Sequence, residues 1–379
     1  MYKVRKLRLE RTQQLDDLTL AAGALYSRTV TSFWRIVRHK GLWLKPSSMM
    51  RWHNSNKLHA HSADAVVQSF YSSLRSWRVR RKDNPDAKPP FRRKRFYKVQ
   101  WKSSAIRLRN GKLILSNGKG NDPLIVPWRW DCPKLVELGW NDGYELRAVY
   151  DIHSNEQPQG DKVVGIDLGE IHPAVAHDGE KAIILNGRLL RSKRQYQNKL
   201  KAKLSSILDR KKKGSRRWRR LQWSKQRQLA KINNQIRDIL HKQTTRLVSM
   251  LHERGVQTLV VGDVRDIRQR VDYGHSANQR IHQMVTGKTR WMLTYKAKAK
   301  GMDVVLQDEK YTSQTCPSCG TCHKPNGRQY VCKCGFRYHR DAVGAWNIRQ
   351  KYLGYGPVVG AMASPIGVRY WPHMWCSSH

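Results

Sequence analysis

The residues of this 379-residue chain whose types and spacing could do chemistry are a cluster of cysteines and the acids on either side of it. Cys316-Pro-Ser-Cys319 and Cys332-Lys-Cys334 put two pairs of thiols on two short turns. Four thiolates suit one tetrahedral zinc ion, with Zn–S distances of about 2.3 Å, and such a fully ligated ion is structural. One residue separates the second pair where two are commoner, so Cys322 or His323 could replace one of its members.

Two acids lie upstream and downstream of this cluster. Asp167 ends the apolar run Val163-Val-Gly-Ile166, and Asp341 follows the second cysteine pair at the start of a predicted helix. A metal-dependent nuclease holds carboxylates from separate strands and a helix around two divalent ions about 3.5–4 Å apart, one activating water and one stabilising the leaving 3′ oxygen. Both acids are therefore candidate catalytic ligands, although two acids are too few for that chemistry.

Short apolar runs predict the strands that would position Asp167. The runs 163–167, 174–177 and 182–185 predict three strands, which resembles the opening of an RNase H-like fold. Beyond residue 353 the chain is rich in Gly, Pro and Ser, and we expect residues 354–379 to be unordered. Between these regions the pattern predicts a helical pair over 192–254 broken near Gly214, a strand at 258–261, a helix over 278–300 and a strand at 302–307.

The first 150 residues follow a different pattern. A loosely alternating start at 2–9 predicts a strand, and apolar residues at helical spacing predict helices around 15–37 and 66–77. Short β-rich runs follow between residues 96 and 150, and Asn110-Gly111 is a strong hairpin turn. The economical arrangement is a small β-barrel, completed by the first strand, with the helices as an insertion. The predicted fold class is therefore α+β and multidomain.

The chain carries a large excess of positive charge. Its 73 Lys and Arg residues against 28 Asp and Glu give a formal net charge of +45. Such a chain repels itself unless a polyanion is present. Duplex nucleic acid has one negative charge per about 1.7 Å, so neutralising this excess takes roughly 75 Å of duplex. The magnitude favours a structured RNA, or DNA together with RNA, over a short recognition site.

Composition also indicates the kind of cellular compartment in which the protein folds. The hydrophobic content of 39% suffices for a core, and no run of about 20 apolar residues predicts a membrane span. Of seven cysteines, five lie between Cys316 and Cys334, which favours metal binding in a reducing compartment over disulfides. We expect a soluble, intracellular protein without membrane partners.

Two dense basic runs are candidate nucleic-acid contacts. Trp218 and Trp223 lie in or beside one run, and Tyr97 and Trp101 follow the other, where aromatic rings could stack on bases or anchor the core. The predicted contact residues are Arg92, Arg93, Lys94, Arg95, Lys211, Lys212, Lys213, Arg216, Arg217, Trp218, Arg219 and Arg220.

Five motifs, taken in order, resemble TnpB, the transposon-encoded RNA-guided DNA endonuclease related to type V CRISPR effectors and Fanzor proteins. The resemblance covers nearly the whole chain, with specific motifs from 163 to 348 and architectural agreement before that. The motifs are Gly-Ile-Asp-Leu-Gly at 165–169, Val-Val-Gly-Asp-Val at 260–264, Tyr-Thr-Ser-Gln-Thr-Cys-Pro at 311–317, Cys-Lys-Cys-Gly-Phe at 332–336 and His-Arg-Asp at 339–341.

The resemblance implies a guide RNA derived from the transposon end, double-stranded target DNA with a displaced single strand, and Mg²⁺-dependent cleavage beside a short transposon-adjacent motif. One monomer per RNA is expected, in the cytoplasm of a bacterium or archaeon or in a eukaryotic nucleus. The implied domains are a wedge-type β-barrel over 1–10 and 86–157, a helical recognition lobe over 11–85, a RuvC-like nuclease over 161–310 and 340–353, and a zinc-binding target-nucleic-acid-binding insert over 311–339.

The chain departs from the family pattern at the middle catalytic glutamate, because Gly262 stands where that residue usually ends the strand 258–261. Strand alternation points the neighbouring Asp263 to the opposite face. Glu309 follows the next strand and resembles the relocated glutamate of a subset of the family. We therefore predict Asp167, Glu309 and Asp341 as the Mg²⁺-binding catalytic residues. Two other functions stay open: an RNA-guided DNA-binding protein that does not cut, and a transposase that acts without RNA.

Overall fold

The computed structural model describes residues 2–151, 157–158, 160–264, 272–354 and 362–370. The chain divides into two compact units, Met1–Ile152 and His153–His379. Helices and strands occur in both units, which confirms the predicted multidomain α+β fold class. Within the described ranges, no helix is both long and apolar enough to cross a bilayer.

Three helices follow the first strand of the Met1–Ile152 unit. The helices are α1 (Gln13–Lys40), α2 (Pro46–Trp52) and α3 (Ala60–Asp83). Thr12 caps α1 by accepting a hydrogen bond from the Leu15 amide, and Gly41 ends it in the left-handed conformation, at φ 65°. Phe33 of α1 and Phe70 of α3 are buried with ring centroids 5.1 Å apart, so the two helices share one core.

The strands of this unit are β1 (Tyr2–Leu9), β2 (Val99–Lys102), β3 (Ile106–Arg109), β4 (Lys112–Leu115), β5 (Leu124–Pro127), β6 (Leu135–Trp140) and β7 (Tyr144–Asp151). Where we expected one small barrel, they form a four-stranded sheet in the order β1-β7-β6-β2 and a three-stranded sheet in the order β3-β4-β5. Asn110 and Gly111, both at positive φ, turn β3 into β4 as predicted. Buried residues of both sheets belong to the core that α1 and α3 line.

The strands of the His153–His379 unit are β8 (Lys162–Asp167), β9 (Val175–His177), β10 (Lys181–Leu185), β11 (Val256–Gly262), β12 (Asp303–Gln307), β13 (Gln329–Val331), β14 (Arg337–His339) and β15 (Ala363–Val368). Six of them form one mixed sheet in the order β12-β11-β8-β9-β10-β15. The strands β8, β9 and β10 form an antiparallel meander, and β11 and β12 run parallel to β8. The carboxyl ends of β8, β11 and β12 therefore meet at one edge.

The helices of this unit are α4 (Arg188–Asp209), α5 (Arg216–Glu253), α6 (His275–Gln283), α7 (Thr286–Ala299) and α8 (Arg340–Leu353). The first two form the predicted helical pair, and Gly214 takes φ 84° between them. The single helix predicted over 278–300 is wrong, because the backbone of Met284 leaves the helical conformation, at φ −53° and ψ 138°, between α6 and α7. Val285, Thr286 and Gly287 are weak helix formers, which explains the interruption.

The predicted unordered tail over 354–379 is wrong for residues 363–368, which form β15 and pair in parallel with β10. Pro365 and Gly367 give this segment the composition of a loop. At a sheet edge proline is tolerated, because one side of the strand makes no ladder hydrogen bonds. Val368 is buried in the core of the unit. Residues 355–361 and 371–379 lie outside the described residues.

The helix α8 packs directly on β8. A Cβ on Gly165 would lie 2.0 Å from the Ala345 carbonyl oxygen and 2.7 Å from the Arg349 amide nitrogen. Both are backbone atoms, so only glycine permits this approach. Gly165 therefore sets how closely α8, with Asp341 in its first turn, lies to the strand that ends in Asp167.

Replacing Gly165 by alanine should lower the free energy of unfolding by about 1–3 kcal/mol, because the added methyl group overpacks the contact between β8 and α8. Urea denaturation of the full chain measures the change. Gly287→Ala is the matched control, since a Cβ there meets no atom within 4 Å, and its midpoint should not fall. Equal midpoints for Gly165→Ala and the unaltered chain would contradict the close packing of α8.

Candidate nuclease site and metal-binding cysteines

The three predicted acids lie at the sheet edge where β8, β11 and β12 end. Asp167 is the last residue of β8, and Glu309 follows the end of β12 by two residues. Asp341 lies in the first turn of α8, which packs on β8. The parallel strands and the N-terminus of α8 thus place acids from distant parts of the sequence at the same edge of the sheet.

Glu309 reaches toward β11. Gly262 ends β11 and pairs with Gln307 of β12. A Cβ on Gly262 would lie 2.8 Å from Glu309 Oε2. The Glu309 carboxyl group therefore occupies the space where a side chain at position 262 would begin, and the glycine leaves room for an acid supplied by the next strand.

Asp167 makes a similar approach to α8. A Cβ on Gly344 would lie 2.9 Å from Asp167 Oδ2. Residues three apart on a helix lie on the same face, so Asp341 and Gly344 face the same way. The absence of a side chain at 344 gives the Asp167 carboxyl group its place beside the first turn of α8.

Burial and mutual repulsion act on these carboxyl groups. The pKa of Asp167 is raised to about 8, first by burial and then by the charges of Asp341 and Glu309, while Arg340 acts in the opposite direction. The pKa of Glu309 is raised to about 7 by burial and by the charges of Asp263 and Asp308. Buried acids with like-charged neighbours are the groups that a bound cation stabilises in the ionised form. The site is therefore electrostatically suited to cations.

The three carboxyl groups do not form a cage for a single ion. Among the described residues, the groups whose ligand atoms all lie within 4.8 Å of one another are a set of four cysteines and a set of His172, His339 and Asp341. Asp167 and Glu309 belong to neither set. The ligand atoms of the three acids are therefore not all within 4.8 Å of one another, which is too open for one ion to be held by all three.

Asp263, the alternative middle acid, is engaged by a cation. Arg290 Nη1 of α7 lies 3.3 Å from Asp263 Oδ1. The Glu309 charge, in contrast, contributes to the raised pKa of Asp167, so Glu309 lies within electrostatic reach of Asp167. The geometry therefore favours Glu309 as the third acid of the set.

The four predicted thiols come together beside the β13–β14 hairpin. Cys316 Sγ lies 3.7 Å from Cys334 Sγ, and Cys319 Sγ lies 3.5 Å from Cys332 Sγ. A tetrahedral ion with Zn–S distances of about 2.3 Å keeps its sulfur atoms about 3.8 Å apart. The donor set and its spacing therefore fit the metal site of a zinc ribbon.

Cys322 and His323, the alternative ligands, lie outside this set of four thiols. The His323 ring has contacts at both nitrogens: Nε2 lies 3.0 Å from the Val331 carbonyl oxygen, and Nδ1 lies 3.2 Å from the Tyr330 hydroxyl. These two contacts hold the His323 ring against strand β13. The shorter spacing of the second cysteine pair thus does not require a replacement ligand.

The basic run at 211–220 surrounds the turn between α4 and α5. Most of its side chains are exposed, including the lysines at 212 and 213 and the four arginines. Trp218 is half-buried, whereas Trp223 is 57% exposed. The tip of this helical pair therefore exposes basic side chains close in sequence to the accessible ring of Trp223, and the predicted phosphate contacts stay a prediction.

The basic run at 92–95 lies outside any helix or strand and contacts α1. The Ser27 hydroxyl donates to the Lys94 carbonyl oxygen and accepts from the Lys94 amide. The arginine side chains of this segment are exposed, while Trp101 is fully buried. Trp101 therefore anchors the core, and the arginines are the part of this segment that nucleic acid could reach.

Two histidines beside the acids were not among the predicted site residues. His172 and His339 lie with Asp341 in the compact set described above. The sequence contained a signal, since each histidine lies within five residues of a predicted acid. It could not show that the two histidines meet, because the contact depends on how β14 and the loop after β8 are placed.

Two family models match parts of this chain. Residues 147–268 match the family OrfB_IS605, described as a probable transposase. Residues 287–348 match the TNB domain of the Cas12f1-like type, and this range contains the four cysteines and Asp341. The matched segments thus contain all three predicted acids.

Relatives and solved structures agree with these models. A protein of Streptomyces pristinaespiralis named "Putative RNA-guided DNA endonuclease" is 30% identical over 268 residues, covering 68% of this chain and 63% of that protein. A TnpB-like protein of Methanocaldococcus jannaschii is 31% identical over 133 residues, covering 34% of this chain and 46% of that protein. A solved Cas12f1–sgRNA–target DNA complex has the same fold, with a TM-score of 0.60 at 13% identity over 89% of this chain and 81% of that chain.

Together, the family models and the TnpB-like relatives support a TnpB family protein. The chain spans less than two thirds of the length of either curated relative. Their names describe those proteins, so the activity of this chain has to be argued from its own residues.

Replacing Asp167 by asparagine should stabilise the chain in Mg²⁺-free buffer at neutral pH. A carboxyl group whose pKa is raised on folding supports the folded state while protonated, so this contribution is complete below about pH 4 and is lost as the pH rises through about 8. One pKa unit corresponds to about 1.4 kcal/mol, so at pH 8 Asp167→Asn should be more stable than the unaltered chain by a few kcal/mol. Urea denaturation at pH 5 and pH 8 measures this difference.

The control for this prediction is the exposed Asp308, whose pKa is lowered by the Lys351 ammonium group. Asp308→Asn should show no such gain on going from pH 5 to pH 8. Added Mg²⁺ should stabilise the unaltered chain more than Asp167→Asn. Identical pH profiles for Asp167→Asn and the unaltered chain would mean that Asp167 is not buried among like charges.

Proposed function

We propose that this chain is an RNA-guided DNA endonuclease of the TnpB type, which hydrolyses phosphodiester bonds with Asp167, Glu309 and Asp341 as the metal-binding acids. The observation that carries the proposal is the Glu309 carboxyl group, 2.8 Å from the Cβ position of Gly262. It restores an acid at the point where Gly262 removed one. A guide-directed binding protein that cannot cut is the less favoured function, because the vacated space holds a carboxyl group.

The donor set fits Mg²⁺. All the proposed ligands are carboxylate oxygens, which this ion prefers. The raised pKa values of Asp167 and Glu309 indicate that a bound cation would stabilise their ionised forms. When bound, two such ions would activate a water molecule and stabilise the leaving 3′ oxygen. The chain's own part is to hold the acids apart on rigid elements: Asp167 at a strand end, Asp341 in the first turn of α8, and Glu309 just after β12.

We propose further that guide RNA and target DNA are bound mainly through their phosphates. The exposed basic side chains at the α4–α5 turn and in the run 92–95, on a chain of net charge +45, supply the positive charge for phosphate binding. Recognition by backbone and shape leaves sequence reading to base pairing with the guide. The Met1–Ile152 unit would then correspond to the wedge and recognition lobe, and the cysteine module to the target-nucleic-acid-binding insert. One chain per RNA is the proposed stoichiometry.

Alanine at Asp167 or Asp341, and Glu309→Gln, should each reduce cleavage by at least about 100-fold, because even outer-shell partners of metal ligands contribute about 10- to 100-fold. The assay is cleavage of guided target DNA by the purified RNA complex in Mg²⁺, with RNA and DNA binding measured on the same samples. Binding should persist, since the affinity resides in the basic surfaces.

Two neighbouring acids serve as matched controls for Glu309. Asp308→Asn and Asp263→Asn should keep cleavage, because Asp308 is paired with Lys351 and Asp263 with Arg290. Loss of cleavage in Asp263→Asn but not in Glu309→Gln would instead assign the third acid to Asp263, directly after β11. Absence of cleavage in the unaltered complex would support the binding protein, and RNase-resistant activity would support an RNA-independent transposase.

We propose zinc as the ion of the four-cysteine set. Cys332→Ser should remove about one equivalent of zinc per chain, because three thiolates hold the ion more weakly than four. Elemental analysis of the purified protein measures this. Cys322→Ser, which alters an exposed thiol outside the set, should keep the full equivalent. Loss of zinc in Cys322→Ser with retention in Cys332→Ser would reassign the ligands.

A further inference from the structure

His172, His339 and Asp341 form a compact cluster next to the carboxyl groups of the proposed nuclease site. One ligand atom from each lies within 4.8 Å of the other two. His172 stands in the loop between β8 and β9, and His339 ends β14 directly before α8. Three different elements of the fold thus supply the cluster.

The two imidazole rings are placed as metal ligands are. His172 Nδ1 lies 3.2 Å from the Leu185 carbonyl oxygen, which can only accept, so Nδ1 carries the proton and Nε2 keeps its lone pair. A backbone carbonyl that fixes the tautomer in this way is the usual outer-shell partner of a metal-bound histidine. His339 Nδ1 is buried and makes no hydrogen bond within the described part of the chain. The rings lie 5.5 Å apart at 62°, so they are not stacked on each other.

The donor chemistry selects a class of ion. Two imidazole nitrogens and one carboxylate are the donors of first-row transition ions, whereas Mg²⁺ prefers oxygen ligands and retains water. We propose that His172, His339 and Asp341 bind one transition-metal ion, of the Zn²⁺ or Co²⁺ class, at a site separate from the four cysteines. Asp167 and Glu309 are not part of it.

The cluster has an open side. His172 and His339 line a cavity of about 780 Å³ whose wall also includes Arg188, Arg191 and Arg328. Three protein ligands leave coordination positions free, and these positions can face the cavity. The arginines weaken the binding of a bare cation and favour an anionic ligand, such as a phosphate group, at the open positions.

A consequence follows for the proposed nuclease, and it rests on that proposed function. Asp341 belongs both to this cluster and to the proposed Mg²⁺ site. An ion held by the two histidines would compete for the Asp341 carboxylate, so low concentrations of Zn²⁺ should inhibit cleavage in excess Mg²⁺. The binding itself does not depend on nuclease activity.

The binding test uses the full chain with its four-cysteine set filled with zinc, in saturating Mg²⁺. Equilibrium dialysis against Co²⁺, with elemental analysis, should show one bound Co²⁺ per chain and no loss of zinc. His172→Asn should weaken Co²⁺ binding by at least about 10- to 100-fold, the range for partners of a metal ligand. Asparagine can still donate to the Leu185 carbonyl oxygen but has no atom in place of Nε2. His339→Asn should have the same effect.

The exposed His282→Asn is the control for the loss of a histidine, and it should leave Co²⁺ binding unchanged. Asp167→Asn should also retain Co²⁺ binding while it abolishes cleavage, which separates this proposal from the nuclease proposal. Equal Co²⁺ affinity in His172→Asn, His339→Asn and the unaltered chain would overturn the proposal. Complete displacement of Co²⁺ by Mg²⁺ would also overturn it, since that result assigns the ion to carboxylates alone.

Discussion

Repulsion between carboxyl groups at one edge of a buried sheet is the interaction on which the rest of this site depends. Asp167 ends a strand whose neighbours Val164 and Ile166 are fully buried, so it cannot turn away to solvent without disturbing the core. Burial first, and then the charges of Asp341 and Glu309, raise its pKa to about 8, so ionising Asp167 in this position costs free energy. The core holds the acids in place, and cations relieve the repulsion. A bound cation favours the ionised form of each acid and so offsets this cost.

Three glycines bring the acids together, because each lets a neighbouring element or side chain approach its backbone closely. At Gly165, Gly262 and Gly344 a Cβ would lie within 3 Å of a neighbouring atom. The first glycine brings α8 onto β8, the second admits Glu309, and the third admits the Asp167 carboxyl group. A sequence that kept every acid but filled these positions would not hold the acids where they are now.

Much of the fold could be predicted from the sequence, because its signals are local. The meander after residue 162, the helical pair around Gly214 and the cysteine pairs each follow from a short pattern. The edge strand at 363–368 could not be predicted in this way, since its proline and glycine are typical of a loop. It forms a strand by pairing with β10. The contact of His172 with His339 is a long-range consequence of packing and has no local signal.

The position of Glu309 shows how an acid can change strands without leaving the site. Gly262 pairs with Gln307, so the ends of β11 and β12 are adjacent, and neighbouring strands lie only about 4.8 Å apart. Glu309 lies two residues beyond Gln307. Its side chain, together with the turn after β12, is long enough to reach back across that distance to the end of β11. An acid placed on β11 itself would then meet the Glu309 carboxyl group in the same space. Only one of the two positions can supply the acid, and glycine at 262 is therefore the necessary counterpart of glutamate at 309.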